Sequence, residues 1–191
     1  MIGPKGRFLR PTSDLVREAL FQILHAHLEF PWESCNVLDL FAGTGALGIE
    51  ALSRAAKEVV FVDHHKSSID LIKRNLGLCG FGERAKVVRA DIRTSPKSFN
   101  RVLKYGPFNL IFADPPYSHG LGKEAMEWVA DTCALASGGW MVIEEFKGEK
   151  FPHQVISSRE TEEKKHRAKL CLQLVDSRTY GQTELWFYRS I

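Results

Sequence analysis

Long apolar runs are missing from this sequence: none approaches the roughly 20 residues that cross a bilayer as a helix. Cysteine is scarce. The 191 residues hold 4, and Cys35, Cys79, Cys133 and Cys171 lie far apart. They form no CxxC pair and no metal-ligand spacing, which argues against a zinc module and reads as reduced thiols of a cytoplasmic protein. His25-x-His27 and His64-His65 lack a partner Cys or carboxylate at ligand spacing, so no metal is expected. One-sided charge is absent as well. A net charge of +3 gives no whole-molecule field toward nucleic acid, though a local basic patch remains open. The start, "MIGPKGRFLR", carries cations but no apolar segment, so it does not read as a secretory signal. No repeat and no low-complexity linker divides the chain. One domain over 1–191 is expected, with 1–34 as a leader and helix laid against a core of 35–191.

What is present is alternation. "NVLDLF", "EVVFVD", "AKVVRAD", "NLIFA" and "GGWMVIEE" are short apolar runs that read as buried strands. Between them lie "ALGIEALSRAA", "SSIDLIKRNLGLCG" and "GKEAMEWVADTCAL", each with helical spacing, and a weaker helical stretch from Phe99 to Leu103. Strand–helix alternation of this kind builds a parallel sheet covered on both faces. The end differs: "KLCLQLVDSRTYGQTELWFYR" alternates on either side of Tyr180-Gly181-Gln182, a hairpin signal. Ahead of the sheet, "RPTSDLVREALFQILHAHL" is a helix. Thr12 or Ser13 is the expected N-cap, and Leu15, Ala19, Leu20, Ile23 and Leu24 form the expected apolar stripe. The mixed-charge run from Arg159 to Lys169 reads as a solvated loop or edge.

The first four strands each deliver an acid at or near the carboxyl end: Asp39, Asp63, Asp91 and Asp114. In an open α/β sheet, ligands bind at that edge. Gly43-Thr44-Gly45-Ala46-Leu47-Gly48 matches GxGxxG between a strand and a helix, with Asp63 placed for a ribose. That pattern alone permits a nicotinamide dehydrogenase. Charge argues otherwise, because Asp39 would repel a pyrophosphate at this turn but attract a sulfonium and an ammonium. S-adenosylmethionine carries both cations and no phosphate. The glycines then admit its methionine and ribose, Asp63 accepts from the ribose hydroxyls, Asp91 accepts from the adenine amine, and Ile92 meets the ring.

Asp114-Pro115-Pro116-Tyr117 ends the fourth strand. An exocyclic amine on a nucleobase is a weak nucleophile because its lone pair is conjugated into the ring. Two acceptors fixed on its N–H bonds favour the charge that develops as it takes a methyl group. The Asp114 carboxylate and the Pro115 carbonyl can be those acceptors. Pro116 restricts the direction of that carbonyl, and Tyr117 can stack on a flipped-out base. His119 reads as a loop residue.

"VLDLFAGTGALGIEALSR", "DPPY", "RPTSDLVREALFQIL" and "YGQTELWFY" together resemble the RsmD family, bacterial methyltransferases of a guanine N2 in 16S ribosomal RNA. The resemblance covers nearly the whole chain. DPPY by itself is shared with DNA adenine and cytosine amino-methyltransferases; the leader that precedes DLFAGTGALG is more specific. The resemblance implies a Rossmann-like, seven-stranded, mostly parallel methyltransferase sheet with a C-terminal antiparallel hairpin. It implies S-adenosylmethionine bound by Asp39, Phe41, Gly43, Gly45, Asp63, Asp91 and Ile92, and a target-base site at Asp114 to Tyr117. It also implies a 16S rRNA substrate in a partly assembled 30S particle, with Arg10-Pro11-Thr12 near the entrance. Lys5, Arg7, Arg10 and Arg17 are the candidate RNA contacts, and a monomer is the expected state. In the family a longer segment usually separates the Lys-Gly-Arg element from RPTSD; here only Phe8-Leu9 do.

Overall fold

A computed structural model of the chain describes residues 11–93, 99–116, 120–157 and 171–191. The sheet has eight strands: β1 Asn36–Leu40, β2 Glu58–Asp63, β3 Ala85–Arg89, β4 Phe108–Ala113, β5 Leu135–Phe146, β6 Gln154–Ile156, β7 Cys171–Tyr180 and β8 Thr183–Ser190. Their order across the sheet is β3-β2-β1-β4-β5-β8-β7-β6. Strands β1 to β5 are parallel; β8 is antiparallel to β5, and β7 and β6 follow antiparallel. The expected count of seven is corrected to eight. The addition is β6, only 3 residues long and at the sheet edge, too short for a period of two to show in its sequence.

Four α-helices lie among the described residues: α1 Pro11–His27, α2 Ala46–Ser53, α3 Lys66–Cys79 and α4 Leu121–Thr132. One face of the sheet is covered by α1, α2 and α3, through Leu20, Phe21 and Leu24, Ile49 and Leu52, and Ile72 and Leu76. The other face is covered by α4, through Met126 and Val129, and by a 3-10 turn, Asn100–Tyr105, through Val102. Both faces are therefore apolar, which is why β1, β2 and β4 read as unbroken hydrophobic runs. The weak helical stretch expected from Phe99 to Leu103 is helical as read: Phe99 is α-helical and the 3-10 turn continues from it to Tyr105.

Two local expectations are corrected in α1. The helix already includes Pro11, so Thr12 and Ser13 fall inside its first turn rather than at the cap. Proline suits that first position, where the missing N–H has no helical partner to lose. Leu15 is 68% exposed, while Val16, Leu20, Phe21 and Leu24 are buried. The buried stripe is rotated by one residue because Phe21 anchors it, with its ring 5.5 Å from that of Phe112 on β4.

The chain runs from β1 outward through β2 to β3, then crosses back to place β4 on the other side of β1. The carboxyl ends of β1 and β4 thus border the topological switch point, where open α/β sheets bind ligands. The turn at Gly181-Gln182 closes β7 on β8 as expected, with Gly181 at φ +61°.

Candidate active site

The first loop of the site is built from left-handed backbone. Phe41, Gly43 and Gly45 have φ of +59°, +56° and +79°. Two of the three are glycine, for which that region costs nothing; Phe41 is a bulky residue held there. Strand β1 consequently stops at Leu40, one residue short of the apolar run. The loop is pinned from several sides. The Gly43 N–H donates to Asp63 Oδ2 at 2.9 Å, and Asn75 Nδ2 of α3 donates to the Thr44 carbonyl at 2.9 Å. Asn75 is fully buried and was not singled out in the sequence, since a polar residue at one position of an amphipathic helix carries no periodic signal.

Asp63 accepts a second backbone bond, from the His65 N–H to Oδ1 at 2.8 Å. A carboxylate offers about four lone-pair positions, so both oxygens keep acceptor capacity for a ligand hydroxyl. His64 and His65 follow directly, with ring centroids 3.7 Å apart and the rings tilted by 41° to each other. Asp91 lies two residues beyond the end of β3 and accepts from the Arg93 N–H at 2.9 Å, a turn that starts the next segment. Arg93 in turn forms a two-point contact with Glu124 of α4, with 2.7 Å to Nη2 and 2.9 Å to Nε.

These elements enclose a cleft of about 330 Å³ lined by Phe41, Asp63, Asp91, Ile92 and Pro116 among the predicted residues. It also takes in His64, His65, Arg93, Phe99 and Leu121, which sequence reasoning did not assign to the site. The histidines could have been found from their place beside a strand-end acid. Arg93 and Glu124 are 31 residues apart, and no local pattern joins them. Asp114 is exposed at the end of β4, Pro115 is buried, and Pro116 is exposed on the cleft wall. Arg17 sits on α1 and pairs with Asp14 at 2.9 Å, away from the cleft lining. Tyr117, Lys5, Arg7 and Arg10 lie outside the described residues.

Asp39 is placed below the loop rather than in the cleft lining. It is 1% exposed and accepts from the Gly48 N–H at 2.9 Å, tying β1 to the first turns of α2. Burial pushes its carboxyl up to about 7, the Gly48 bond opposes this, and the neighbouring charge of Asp63 adds to it. A carboxyl whose folded pKa is raised holds its proton more tightly in the native state. Its contribution therefore turns against folding as pH rises from about 4 to about 7. Asp39→Asn keeps an oxygen for the Gly48 N–H and removes the charge. Relative to wild type, it should gain stability steadily across that window, up to ~4 kcal/mol at neutral pH, and be unchanged below about pH 4. Urea unfolding midpoints at several pH values measure this; parallel curves for the two proteins would rule out a buried charge at position 39.

A family model described as conserved hypothetical protein 95 matches residues 2–189. Ribosomal RNA small subunit methyltransferase D of Haemophilus influenzae is 35% identical over 138 residues, covering 71% of this chain and 67% of its own. The solved structure of the Escherichia coli protein yhhF is 28% identical with a TM-score of 0.71, spanning 100% of this chain and 91% of that one. An RNA methyltransferase from Salinibacter ruber, in complex with S-adenosyl-L-homocysteine, is 9% identical with a TM-score of 0.61, covering 99% and 93%; at that identity it speaks for the fold alone. With a family model spanning nearly every residue and a relative of this identity, the chain belongs to the RsmD family of methyltransferases.

Proposed function

We propose that the protein transfers a methyl group from S-adenosylmethionine to the exocyclic N2 amine of a guanine in 16S ribosomal RNA. The observation that carries this reading is the convergence at one sheet edge of a nucleoside-sized cleft and the Asp114-Pro115-Pro116 end of β4. The donor set suits the cofactor. Asp63 and Asp91 offer acceptors for hydroxyls and an amine, and Ile92, Phe99 and Leu121 offer apolar contact for a ring. The Gly43 N–H, which would cap a phosphate in a dinucleotide site, is turned onto Asp63. When bound, the cofactor supplies an electrophilic methyl group on a sulfonium. The Salinibacter neighbour, with its S-adenosyl-L-homocysteine, supports the assignment by fold.

The chain's own residues then have these roles. The loop from Phe41 to Gly45 brings backbone against the methionine portion. Asp63 and Asp91 fix the nucleoside. The Asp114 carboxylate and Pro115 carbonyl accept from the target amine and stabilise its developing charge, and no neighbouring proline N–H competes with them. Tyr117 stacks on the base. Rate then depends on alignment of the amine with the methyl group. Lys5, Arg7, Arg10 and Arg17 contact phosphates. The substrate is rRNA in a partly assembled 30S particle, and the enzyme acts as a cytoplasmic monomer. Among the described residues no helix is long and apolar enough to cross a membrane.

Labelled S-adenosylmethionine with 30S particles lacking the modification should label one guanine of 16S rRNA. Label on adenine or in DNA alone would instead favour a DNA amino-methyltransferase. Tight NADH binding without S-adenosylmethionine binding in calorimetry would favour a dehydrogenase.

A further inference from the structure

Strand β3 forms one border of the sheet, and beside it lies a second cavity of about 310 Å³. Among the described residues its lining is Val87, Val88, Arg89, Arg101, Lys104 and Tyr105, three of which are cations. The two cavities are lined by consecutive residues at the end of β3. Arg89 directly precedes Ala90 and Asp91 of the first cleft, and its Nε donates to the carbonyl of His64, another cleft residue, at 3.0 Å.

The 3-10 turn sets the spacing of the other two cations. Val102 is fully buried and fixes the turn against the sheet. With three residues per turn, Arg101 and Lys104 stand one above the other on the same side, about 6 Å apart along the axis. Both are exposed. That separation is of the order of the step between successive phosphates of one nucleic-acid strand. The Lys104 ammonium lies 4.8 Å from the Tyr105 ring centroid, which holds it at the cavity rim.

We propose that this shelf binds the sugar-phosphate backbone of the substrate RNA where it passes the cofactor side of the cleft, with Arg101 and Lys104 on successive phosphates. The inference rests on the reading of the substrate as RNA given above. It assigns a contact surface on the β3 side of the sheet, made of residues other than the candidate RNA contacts named from the sequence. It also accounts for a concentration of positive charge in a protein whose net charge is only +3.

The test compares wild type, the double variant Arg101→Gln/Lys104→Gln, and Lys57→Gln as a control at the opposite, amino-terminal edge of β2. Binding to unmodified 30S particles is measured over a range of salt concentrations, together with methylation kinetics and S-adenosylmethionine affinity. The double variant should flatten the plot of log affinity against log salt by about two, one for each lost phosphate contact. Its KM for particles should rise on the order of tenfold, with kcat and cofactor affinity unchanged. The control should match wild type. A double variant with the wild-type salt slope and KM overturns the shelf while leaving the methyltransferase reading intact. Wild-type protein that neither binds nor methylates the particles overturns the RNA reading and the shelf with it.

Discussion

Asp114→Ala should slow methyl transfer by two to three orders of magnitude while leaving S-adenosylmethionine affinity within about twofold, the size expected for losing one preorganised acceptor. The separation of effects follows from position. Asp114 is carried by the end of β4 and exposed; it is outside the cleft lining, whose acids, Asp63 and Asp91, come from the β2 and β3 side, although Pro116 reaches the cleft wall. Its side chain makes no contribution to the apolar core, so folding is preserved. Its contribution arises only as charge develops on the amine, so the loss should fall on kcat rather than on particle KM. Asp114→Asn retains an acceptor oxygen without the charge and should fall between the two. Single-turnover methylation, paired with calorimetric titration of the cofactor, reads both quantities. An alanine variant with near-wild-type turnover would remove Asp114 from the chemistry and reduce the motif to a strand terminator.

Gly48→Ala should be the most damaging small substitution in the fold. A Cβ at that position would lie 2.3 Å from Phe61 Cε1, 2.7 Å from Phe61 Cζ and 2.9 Å from Val59 Cγ1. Phe61 and Val59 are fully buried on β2, so neither can swing into solvent. Helix α2 would have to lift from the sheet. Overpacking of this kind costs about 1–3 kcal/mol and here belongs at the upper end, a fall in melting temperature of roughly 5–10 °C. The same movement would pull the Gly48 N–H from Asp39 and loosen the loop above it, so cofactor affinity should fall together with stability. Gly77→Ala serves as the comparison: its added Cβ meets nothing within 4 Å. It lies within α3, where alanine is the better helix former, so it should be neutral or slightly stabilising. Equal melting temperatures for Gly48→Ala and wild type would contradict the packing described.

The parts legible in the sequence were those with repeated or local signals. Apolar runs separated by amphipathic helices identified the parallel sheet, and the acids at the strand ends pointed to the ligand edge. What escaped depends on contacts between distant segments. Leu15 and Val16 are both apolar, and which of them is buried follows from how the helix is seated on the sheet, with Phe21 against Phe112. Asp39 read as a free charge facing a ligand; its burial against Gly48 appears only once α2 is laid on the sheet. Arg93 and Glu124 are ordinary surface charges until the segment after β3 meets the start of α4. The third glycine of the Gly43-x-Gly45-x-x-Gly48 pattern was matched as a motif, but its need for close packing comes from Phe61.

The position of β8 has a bearing on how the chain is made. It is the last strand in sequence, yet it lies inside the sheet and supplies the hydrogen bonds that join β5 to β7. As the polypeptide leaves the ribosome, β1 to β5 can associate while β8 is still unsynthesised, and domains generally fold as their segments emerge. Throughout that interval the outer edge of β5, the apolar run Trp140 to Ile143, stands open. Unpaired apolar edges recruit strands from other chains. Translation arrest or truncation before Thr183 should therefore yield aggregates seeded at β5 rather than a smaller folded enzyme.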